Sequence, residues 1–372
     1  MKILALDIGA GTQDILLFDS TNTIENSIKM VMPSPTVIAA TRIREATSAG
    51  QPLALTGVNM GGGPVTGAMQ GHIQSGLAVY ATVEAATTFD DDMEMVRAMG
   101  VSLVTDDEIE SMRNVRRVVL RDLDLEMVRV ALRAFEMSPE WDAVAVAVFD
   151  HGDSPPGYSD RKFRFDHLRR QMDQGKRDVT SFCYLSNEVP EYMTRMLAVV
   201  KSMDADLPLL LMDTAEAAVL GALEDDRVAS QRCKVSVNLG NEHTLAVHLH
   251  GTIIQGIFEH HTHLLTRDKL ESYLMGLVHG DLDGQEVWLD QGHGAVTLGA
   301  KEDKTFFSVT GPFRHVLEGS TLDPYFAVPC GDMMLTGSFG LVRAWAEKHE
   351  PWRKEITHAL RSVESGPTAG SH

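Results

Sequence analysis

The sequence is poor in cysteine, and this scarcity excludes several kinds of protein. Its three cysteines, Cys183, Cys233 and Cys330, lie far apart in the chain of 372 residues. Their spacing fits neither a zinc site nor an iron–sulfur cluster, and it predicts no disulfide framework. An enzyme that generates radicals at a cluster would need a closely spaced cysteine triplet, which this sequence lacks.

Positive charge is also scarce. The sequence has 33 Lys and Arg residues against 52 Asp and Glu residues, which gives a formal net charge of −19. A chain this acidic is repelled by phosphate backbones, so we do not expect a nucleic acid to be its main partner.

Long uncharged apolar runs are absent from the sequence. The longest apolar stretch, residues 207–223, contains Asp213 and Glu216, so we expect no membrane span and no membrane partner. The N-terminus leads directly into an apolar strand pattern without a separate h-region, and a reducing cytoplasm is the expected location. The length is sufficient for two domains with full cores.

A glycine-containing turn near the N-terminus is the most informative local pattern. Apolar runs at residues 3–6 and 15–18 flank the turn and predict the two strands of a β-hairpin. Gly9 and Gly11 would let a phosphate approach the backbone N–H groups of the turn. Asp7, at the strand end, could hold Mg²⁺ through water. Taken alone, the turn is equally compatible with an ordinary glycine-rich hairpin.

A second copy of this pattern occurs at residues 234–244. Asn238 and Gly240 stand where Asp7 and Gly9 stand in the first copy, and a third strand pattern follows in both cases. Two such units that face each other would hold a triphosphate from both sides.

These motifs resemble those of the ASKHA superfamily, which includes actin, Hsp70 chaperones and sugar kinases. The turns at Asp7 and Asn238 resemble its two phosphate motifs. Residues 211–221 resemble its first connecting helix, and residues 332–340 resemble its adenosine motif. The first turn also resembles that of the uncharacterised DUF1786 family, some members of which carry the label pyruvate formate-lyase activating protein. The missing cysteine triplet argues against that label.

The resemblance implies an α/β fold: a two-domain actin-like ATPase (ribonuclease H-like) fold with duplicated mixed β-sheet units and an interdomain cleft. Residues 1–222 would form the first domain and residues 223–352 the second. Residues 353–372 would form a C-terminal helix and a disordered tail. ATP and Mg²⁺ would lie in the cleft.

The resemblance also implies which residues bind the nucleotide. Asp7 and Asp14 would organise Mg²⁺, and Gly337 would leave room for adenosine. The residues expected at the nucleotide are Asp7, Gly9, Gly11, Thr12, Gln13, Asn238, Gly240, Asn241, Thr244, Gly337 and Ser338.

Polar residues that follow two predicted strands could act as acid or base. The apolar run 143–149 ends at Asp150 and His151, and ligands of open α/β sheets bind beyond the carboxyl ends of strands. A capped turn is the alternative. Asp213 follows the next apolar run and could cap a helix with Glu216. By resemblance to sugar kinases, Asp213 would instead accept a proton from the attacking hydroxyl group.

A run of three glycines could contact the substrate. Gly61, Gly62 and Gly63 lie between a predicted strand and a predicted helix, where backbone amides can bind an anion. A tight strand-to-helix turn with close packing is the alternative.

Three further patterns could concern an anionic substrate. Residues 152–178 form the least regular segment and concentrate basic side chains, as a lid, a docking arm or a solvated helix face would. In the strand pattern at 259–263, His261 and His263 could point to one side. Because no carboxylate or cysteine completes a ligand set, a substrate-contacting cluster is favoured there over a metal site. Arg314 could bind a phosphate or carboxylate bidentately.

Three functions are compatible with these patterns. The leading hypothesis is an ATP- and Mg²⁺-dependent kinase or activating enzyme that acts on a small molecule with Asp213 or Asp150 as base. The small molecule could be anionic. The second is an ATP-dependent activase of a partner metalloenzyme, for which the cluster cysteines are missing. The third is a non-catalytic nucleotide-binding scaffold. A homodimer and a complex with a partner enzyme both stay open.

Overall fold

The computed structural model describes residues 1–175, 177–203, 207–299 and 304–361. The strands of these residues are β1 Lys2–Ile8, β2 Thr12–Asp19, β3 Ile28–Pro33, β4 Leu53–Gly57, β5 Val79–Ala81, β6 Val101–Leu103, β7 Arg116–Leu120, β8 Ala143–Val148, β9 Cys183–Leu185, β10 Leu209–Met212, β11 Cys233–Leu239, β12 His243–His250, β13 Ile253–His261, β14 Gly294–Thr297, β15 Phe306–Thr310 and β16 Tyr325–Phe326. The α-helices are α1 Pro35–Ser48, α2 Gly63–Gln74, α3 Val83–Ala86, α4 Met93–Ala98, α5 Asp106–Ser111, α6 Leu125–Ala134, α7 Asp160–Asp173, α8 Thr194–Lys201, α9 Thr214–Ala222, α10 Asp226–Ala229, α11 Arg267–His279, α12 Gly284–Leu289, α13 Thr336–Lys348 and α14 Glu350–Leu360.

Two six-stranded sheets share the arrangement of five of their strands, β3-β2-β1-β8-β10 in one and β13-β12-β11-β15-β16 in the other. Their strand orders are β3-β2-β1-β8-β10-β9 and β14-β13-β12-β11-β15-β16. Each contains an antiparallel meander of three strands, and the first strand of each meander pairs in parallel with a later strand, β1 with β8 and β11 with β15. The two predicted β-units are therefore present as a duplication, and the predicted α/β class with duplicated mixed β-sheet units is confirmed.

The central strands are apolar because both faces of each sheet are covered. All six residues of β8 are buried, as expected for a parallel strand between two covered faces. The predicted hairpin of β1 and β2 is also confirmed, and its register places Asp7 directly opposite Asp14.

A smaller sheet is inserted between β3 and β8. Its four strands, in the order β6-β5-β4-β7, are all parallel, and the helices α1 to α5 lie in the same part of the chain. It has its own apolar core, which includes Ile43, Leu55 and Met69. The helix that the sequence predicts after the three glycines is found here as α2.

The helices α9 and α13 pack against each other within a core that also contains residues of both six-stranded sheets. Glycines bring their backbones into direct contact. A Cβ atom on Gly221 would lie 1.7 Å from the carbonyl oxygen of Thr336, and one on Gly340 would lie 2.0 Å from that of Ala217. Only glycine fits at these two positions without a shift of the main chain.

The prediction that residues 152–178 are the least regular segment is wrong for much of that range. Residues 160–173 form the helix α7, on which Phe165, Leu168 and Met172 are buried in the main core. Basic and acidic side chains obscure the helical pattern in the sequence, because one of its arginines, Arg164, is buried in an ion pair instead of facing water.

The predicted domain boundaries near residues 222 and 352 stay predictions. The helix α13 lies before the second boundary in sequence, yet it packs on β1, β2 and β8 of the first sheet. The predicted disordered tail at residues 365–372 lies outside the described residues. No helix in the described ranges has the length and apolar character needed to cross a membrane.

Candidate functional site

One cleft joins the two glycine turns. It has a volume of about 1390 Å³, and both Gly9 and Gly240 line it. The turns are closed by equivalent hydrogen bonds, because Gly9 donates its N–H to the carbonyl of Thr12 and Gly240 donates to that of His243. A Cβ atom on Gly11 would lie 2.6 Å from Nδ2 of Asn241, so the two turns are in contact.

Two carboxylates lie side by side in this cleft. Thr214 donates a hydrogen bond of 2.5 Å to Oδ1 of Asp7, while Oδ1 of the buried Asp14 has no hydrogen-bond partner among the described residues. Burial raises the pKa of Asp7 to about 7. Burial and repulsion by Asp7 raise the pKa of Asp14 to about 8. A divalent cation would relieve this repulsion and use the unpaired oxygen, so the pair fits the expected Mg²⁺.

The N-terminus of α13 closes this corner of the cleft. A Cβ atom on Gly337 would lie 1.9 Å from Oδ2 of Asp7, and the hydroxyl of Ser338 donates to the carbonyl of Asp14 at 2.7 Å. The carboxylate of Asp7 thus fills the space in front of Gly337, where the sequence predicts room for adenosine. Gly337 still lines the cleft, whereas Ser338 is fully buried.

The other residues expected at the nucleotide divide into two groups. Thr12, Asn238 and Asn241 line the cleft. Gln13 and Thr244 are buried outside its lining: Gln13 donates through Nε2 to the carbonyl of Pro33, and the Thr244 hydroxyl bonds the hydroxyl of Thr262. The alternating strand pattern explains this division, because these two side chains point away from the turn tips.

The three glycines predicted to contact substrate line the cleft from the inserted sheet. Gly62 is the N-cap of α2, and in the first turn of that helix the hydroxyl oxygen of Thr36 accepts the N–H of Val65 at 3.3 Å. Gly61 donates its N–H to Oδ1 of Asp122 at 3.2 Å, and Arg195 packs against the same glycine. These glycines are closely packed and also line the cleft. The two interpretations, substrate contact and a tight strand-to-helix turn, therefore each describe part of their environment.

Asp150 and His151 do not form the acid/base pair that the sequence suggests. The oxygens of Asp150 accept N–H groups of Gly152 and Met196, each at 2.9 Å. His151 turns instead towards His293, with 3.2 Å between their Nε2 atoms. Burial raises the pKa of Asp150. The environment of Asp150 is that of a capped turn at the wall of the cleft.

Asp213 belongs to a buried ion network. Arg164 donates to both oxygens of Asp213, at 2.7 and 3.1 Å, and to both oxygens of Glu259, at 2.7 and 3.3 Å. Asp213 also caps α9 by accepting the N–H of Ala215. Burial alone would raise the pKa of Asp213, but the charge of Arg164 holds it below its usual value. Asp213 therefore has no free oxygen for a substrate proton in this arrangement.

The sequence gives little sign of this network, since its members come from distant parts of the chain. Arg164 lies on α7, Glu259 on β13, and Asp213 before α9. The same holds for Thr214, whose contact with Asp7 spans 207 positions. A capping pattern at residue 213 was the only local signal.

Four histidines meet beside Phe149 at the cleft. The ring of His243 stacks on Phe149 with centroids 4.1 Å apart, and His261 lies 5.0 Å from both His243 and His293. Burial lowers the pKa of His151 to about 3 and also lowers the pKa values of His243, His261 and His293. These imidazoles are therefore neutral near pH 7.

The expectation that His261 and His263 share a side is wrong. The strand β13 ends at His261, and a 3₁₀ turn over Thr262–Leu264 sends His263 to the ring of Phe313 instead. Arg314 does not belong to the cleft lining. It is half-buried in another 3₁₀ turn and donates to the carbonyl of Gly311, which does line the cleft.

The sequence matches one family model over residues 60–316. The description of that model is "Putative pyruvate format-lyase activating enzyme (DUF1786)". The chain belongs to the DUF1786 family. The match covers most of the inserted sheet, α9, and the second hairpin of this DUF1786 protein. No curated protein matches its sequence.

Several solved structures are similar to this DUF1786 protein at low sequence identity. The ethanolamine utilization protein EutJ from Carboxydothermus hydrogenoformans is 10% identical, with a TM-score of 0.30 over 92% of this chain and 89% of EutJ. A "putative N-acetylmannosamine kinase" from Listeria monocytogenes is also 10% identical, with a TM-score of 0.35 over 94% of this chain and 99% of its own. The ROK hexokinase from Thermus thermophilus is 12% identical, with a TM-score of 0.24 over 68% of this chain and 47% of the hexokinase. Likeness at this level identifies neither a ligand nor a reaction.

Proposed function

We propose that this DUF1786 protein binds ATP with Mg²⁺ in its cleft and transfers a phosphoryl group to a small molecule. One observation carries the proposal: two glycine turns of equivalent hydrogen bonding touch across one cleft, at Gly11 and Asn241, beside the paired carboxylates Asp7 and Asp14. Turns of this kind present backbone N–H groups to phosphates from two sides.

The side chains have separate roles in this proposal. Asp7 and Asp14 hold the cation, and Thr214 fixes the orientation of Asp7 through its hydrogen bond. Other backbone amides of the two turns bind phosphate oxygens, since the N–H groups of Gly9 and Gly240 close their own turns. Mg²⁺, when bound, neutralises the charge that develops on the transferred phosphoryl group.

The contacts of Asp150 and Asp213 favour a supporting role over a catalytic one. Asp213 neutralises Arg164, and Asp150 fixes the start of α8 through the N–H of Met196. Phosphoryl transfer depends mainly on positioned phosphates and electrostatic stabilisation, so a tightly held base is not essential. We therefore assign the reaction to the cleft without assigning a base to either residue.

The glycines at the N-terminus of α2 suggest where the second substrate lies. The backbone amides of Gly62 and Gly63 face the same cleft as the two turns. We propose that an anionic group of the substrate binds there, since a helix N-terminus attracts negative charge.

Nucleotide titration tests the first step. Isothermal titration of the protein with a non-hydrolysable ATP analogue and Mg²⁺ is expected to give one site, and Gly11→Val is expected to weaken it more than about tenfold by separating the turns. Gly71→Ala is the matched control, because a Cβ atom at this helical position meets nothing within 4 Å. Equal nucleotide affinity in Gly11→Val and the wild type would contradict the proposed site.

Phosphoryl transfer is tested with γ-labelled ATP and pools of small metabolites. The proposal predicts slow hydrolysis without substrate and label transfer to at least one pool, with preference for compounds that carry a carboxylate or phosphate. Tight nucleotide binding without transfer or hydrolysis would favour the scaffold hypothesis instead.

The family description does not lead to a better candidate. Activation of an enzyme through a radical cluster requires several cysteine thiolates around one iron site. In the described parts of the chain, the groups of side chains that could hold a metal include one cysteine at most, Cys233. The three cysteines all lie within the described residues, form no disulfide there and belong to separate parts of the fold.

A further inference from the structure

A cluster of imidazoles at the cleft has the arrangement of a metal site. His151 follows β8 of the first sheet, His243 begins β12, and His293 precedes β14. Each residue offers one ring nitrogen, and these three nitrogens lie within 4.8 Å of one another. His243 lies 92 residues after His151, and His293 lies 50 residues after His243, so no local motif produces the cluster.

The spacing of the nitrogens fits tetrahedral coordination. Nitrogen ligands bind Zn²⁺ at about 2.0–2.1 Å, so two of them lie about 3.3 Å apart around a tetrahedral ion. The Nε2 atoms of His151 and His293 are 3.2 Å apart. The third imidazole, His243, is held in place by its stacking on Phe149.

Hydrogen bonding alone leaves this cluster incompletely satisfied. One hydrogen bond can join His151 and His293, but His293 is 1% exposed and its Nδ1 has no hydrogen-bond partner among the described residues. The ring of His243 contacts other rings on several sides, namely those of Phe149, His261 and His293. Neutral imidazoles packed in this way are the ligands that Zn²⁺ and similar ions prefer.

The surrounding charges permit a cation at this position. Arg164 lies behind Phe149, with its guanidinium 4.1 Å from the ring centroid, but Asp213 and Glu259 neutralise its charge. His151, His243 and His261 line the cleft, whereas the buried His293 closes the far side. An ion held by the triad would therefore have its free coordination position towards the cleft.

We propose that His151, His243 and His293 form a binding site for one transition-metal ion of the Zn²⁺ type. Three protein nitrogens with an open fourth position are typical of sites where the ion binds a water or a substrate oxygen. His261 stands beside that open position, 5.0 Å from two of the triad rings, and orients whatever oxygen binds there. The ion would also join the first sheet to the second, because the ligands come from both. This site does not depend on the proposed nucleotide site.

Cobalt titration tests the site on the full chain. Protein stripped with a chelator is titrated with Co²⁺ and followed by visible absorption, since a tetrahedral site with three nitrogens gives intense d–d bands. The wild type is expected to bind one Co²⁺ that Zn²⁺ displaces. His151→Gln and His243→Gln are each expected to weaken binding by more than about 100-fold, because even the loss of outer partners costs 10- to 100-fold.

A second cluster in the protein supplies the control. Cys233, His248 and His250 also bring three ligand atoms within 4.8 Å, at the far ends of β11 and β12. His250→Gln is expected to leave the cobalt spectrum unchanged. A thiolate-to-cobalt charge-transfer band that disappears in Cys233→Ser would place the ion at this second cluster and overturn the proposal.

Two further outcomes decide the matter. Absence of a stoichiometric cobalt spectrum in the wild type, or its full retention in both His151→Gln and His243→Gln, would also overturn the proposal. The wild-type spectrum is informative even if a variant does not fold. Asp14→Asn is expected to keep the cobalt site while losing Mg²⁺-dependent nucleotide binding, so failure of one site is distinguishable from failure of the other.

Discussion

Asp14 is the residue whose charge depends most on the contents of the cleft. Its carboxylate is buried next to Asp7, and one of its oxygens has no hydrogen-bond partner among the described residues. Such a group is stable either when protonated or when paired with a cation. Ionising Asp14 in the folded protein therefore costs free energy unless a cation is bound.

The free energy of unfolding should therefore depend on pH through Asp14. The pKa of Asp14 rises from 3.8 to about 8 on folding, so the folded state holds the extra proton between these values. Protonation of Asp14 stabilises the folded state at low pH, and this stabilisation is lost as the pH rises towards 8. Without divalent cations, we expect the melting temperature to fall more steeply from pH 5 to pH 8 in the wild type than in Asp14→Asn.

Thermal melts in a chelating buffer measure this difference. Each pKa unit corresponds to about 1.4 kcal/mol, so the two slopes should be readily distinguished. Asp19→Asn, on the same strand, is the control, because hydrogen bonds from Thr21 lower rather than raise the pKa of Asp19. Parallel pH profiles for the wild type and Asp14→Asn would contradict the assignment.

Gly337 is a second residue whose identity is fixed by the site. A methyl group there would meet the carboxylate of Asp7 at 1.9 Å. We expect Gly337→Ala to displace Asp7, to weaken Mg²⁺-dependent nucleotide binding at least tenfold and to lower stability by about 1–3 kcal/mol. Calorimetric titration and denaturant unfolding measure the two effects. Gly67 lies on the exposed side of α2 with open space around it. Gly67→Ala should therefore weaken neither nucleotide binding nor stability.

At the scale of elements, the buried Arg164 adds an ion network to the apolar packing that holds the helix α7. Removing Arg164 would leave Asp213 and Glu259 buried without a counter-charge. The loss of one partner of a buried ion pair costs about 3–5 kcal/mol. We expect Arg164→Met to lower the free energy of unfolding by about this amount, and Arg169→Met, on the exposed face of the same helix, to change it by less than about 1 kcal/mol.

Urea unfolding monitored by circular dichroism tests this expectation. A double variant provides a second test. Adding Glu259→Gln to Arg164→Met should restore part of the lost free energy of unfolding, because it removes one unpaired charge. If Arg164→Met unfolds at the same urea concentration as the wild type, the network contributes nothing to stability.

The elements that the sequence predicts best are those whose pattern is local. The two hairpins follow from apolar runs on either side of a glycine turn, and their duplication follows from the repeat of that pattern at Asp7 and Asn238. The helix α7 was missed because its buried arginine reads as a surface residue. The imidazole triad was missed because its members approach only when both sheets are in place.

At the scale of the whole molecule, two helices pack in a core that includes residues of both six-stranded sheets, and each sheet carries one glycine turn. The helices α9 and α13 touch through their main chains at Gly221 and Gly340. We expect Gly340→Ala to force these helices apart and to lower stability by more than about 2 kcal/mol, in line with other overpacked cores. Differential scanning calorimetry would detect the shift, and an unchanged melting temperature would show that the contact adapts.

Side chains usually lock neighbouring helices because their ridges fit into the grooves of the partner. At Gly221 and Gly340 the main chains meet with no side chains between them, so little has to disengage when one helix turns over the other. The crossing point can therefore serve as a fulcrum. A small rotation about it would change the gap between the two glycine turns, because Gly337, next to Thr336 of this contact, meets the carboxylate of Asp7 beside the first turn.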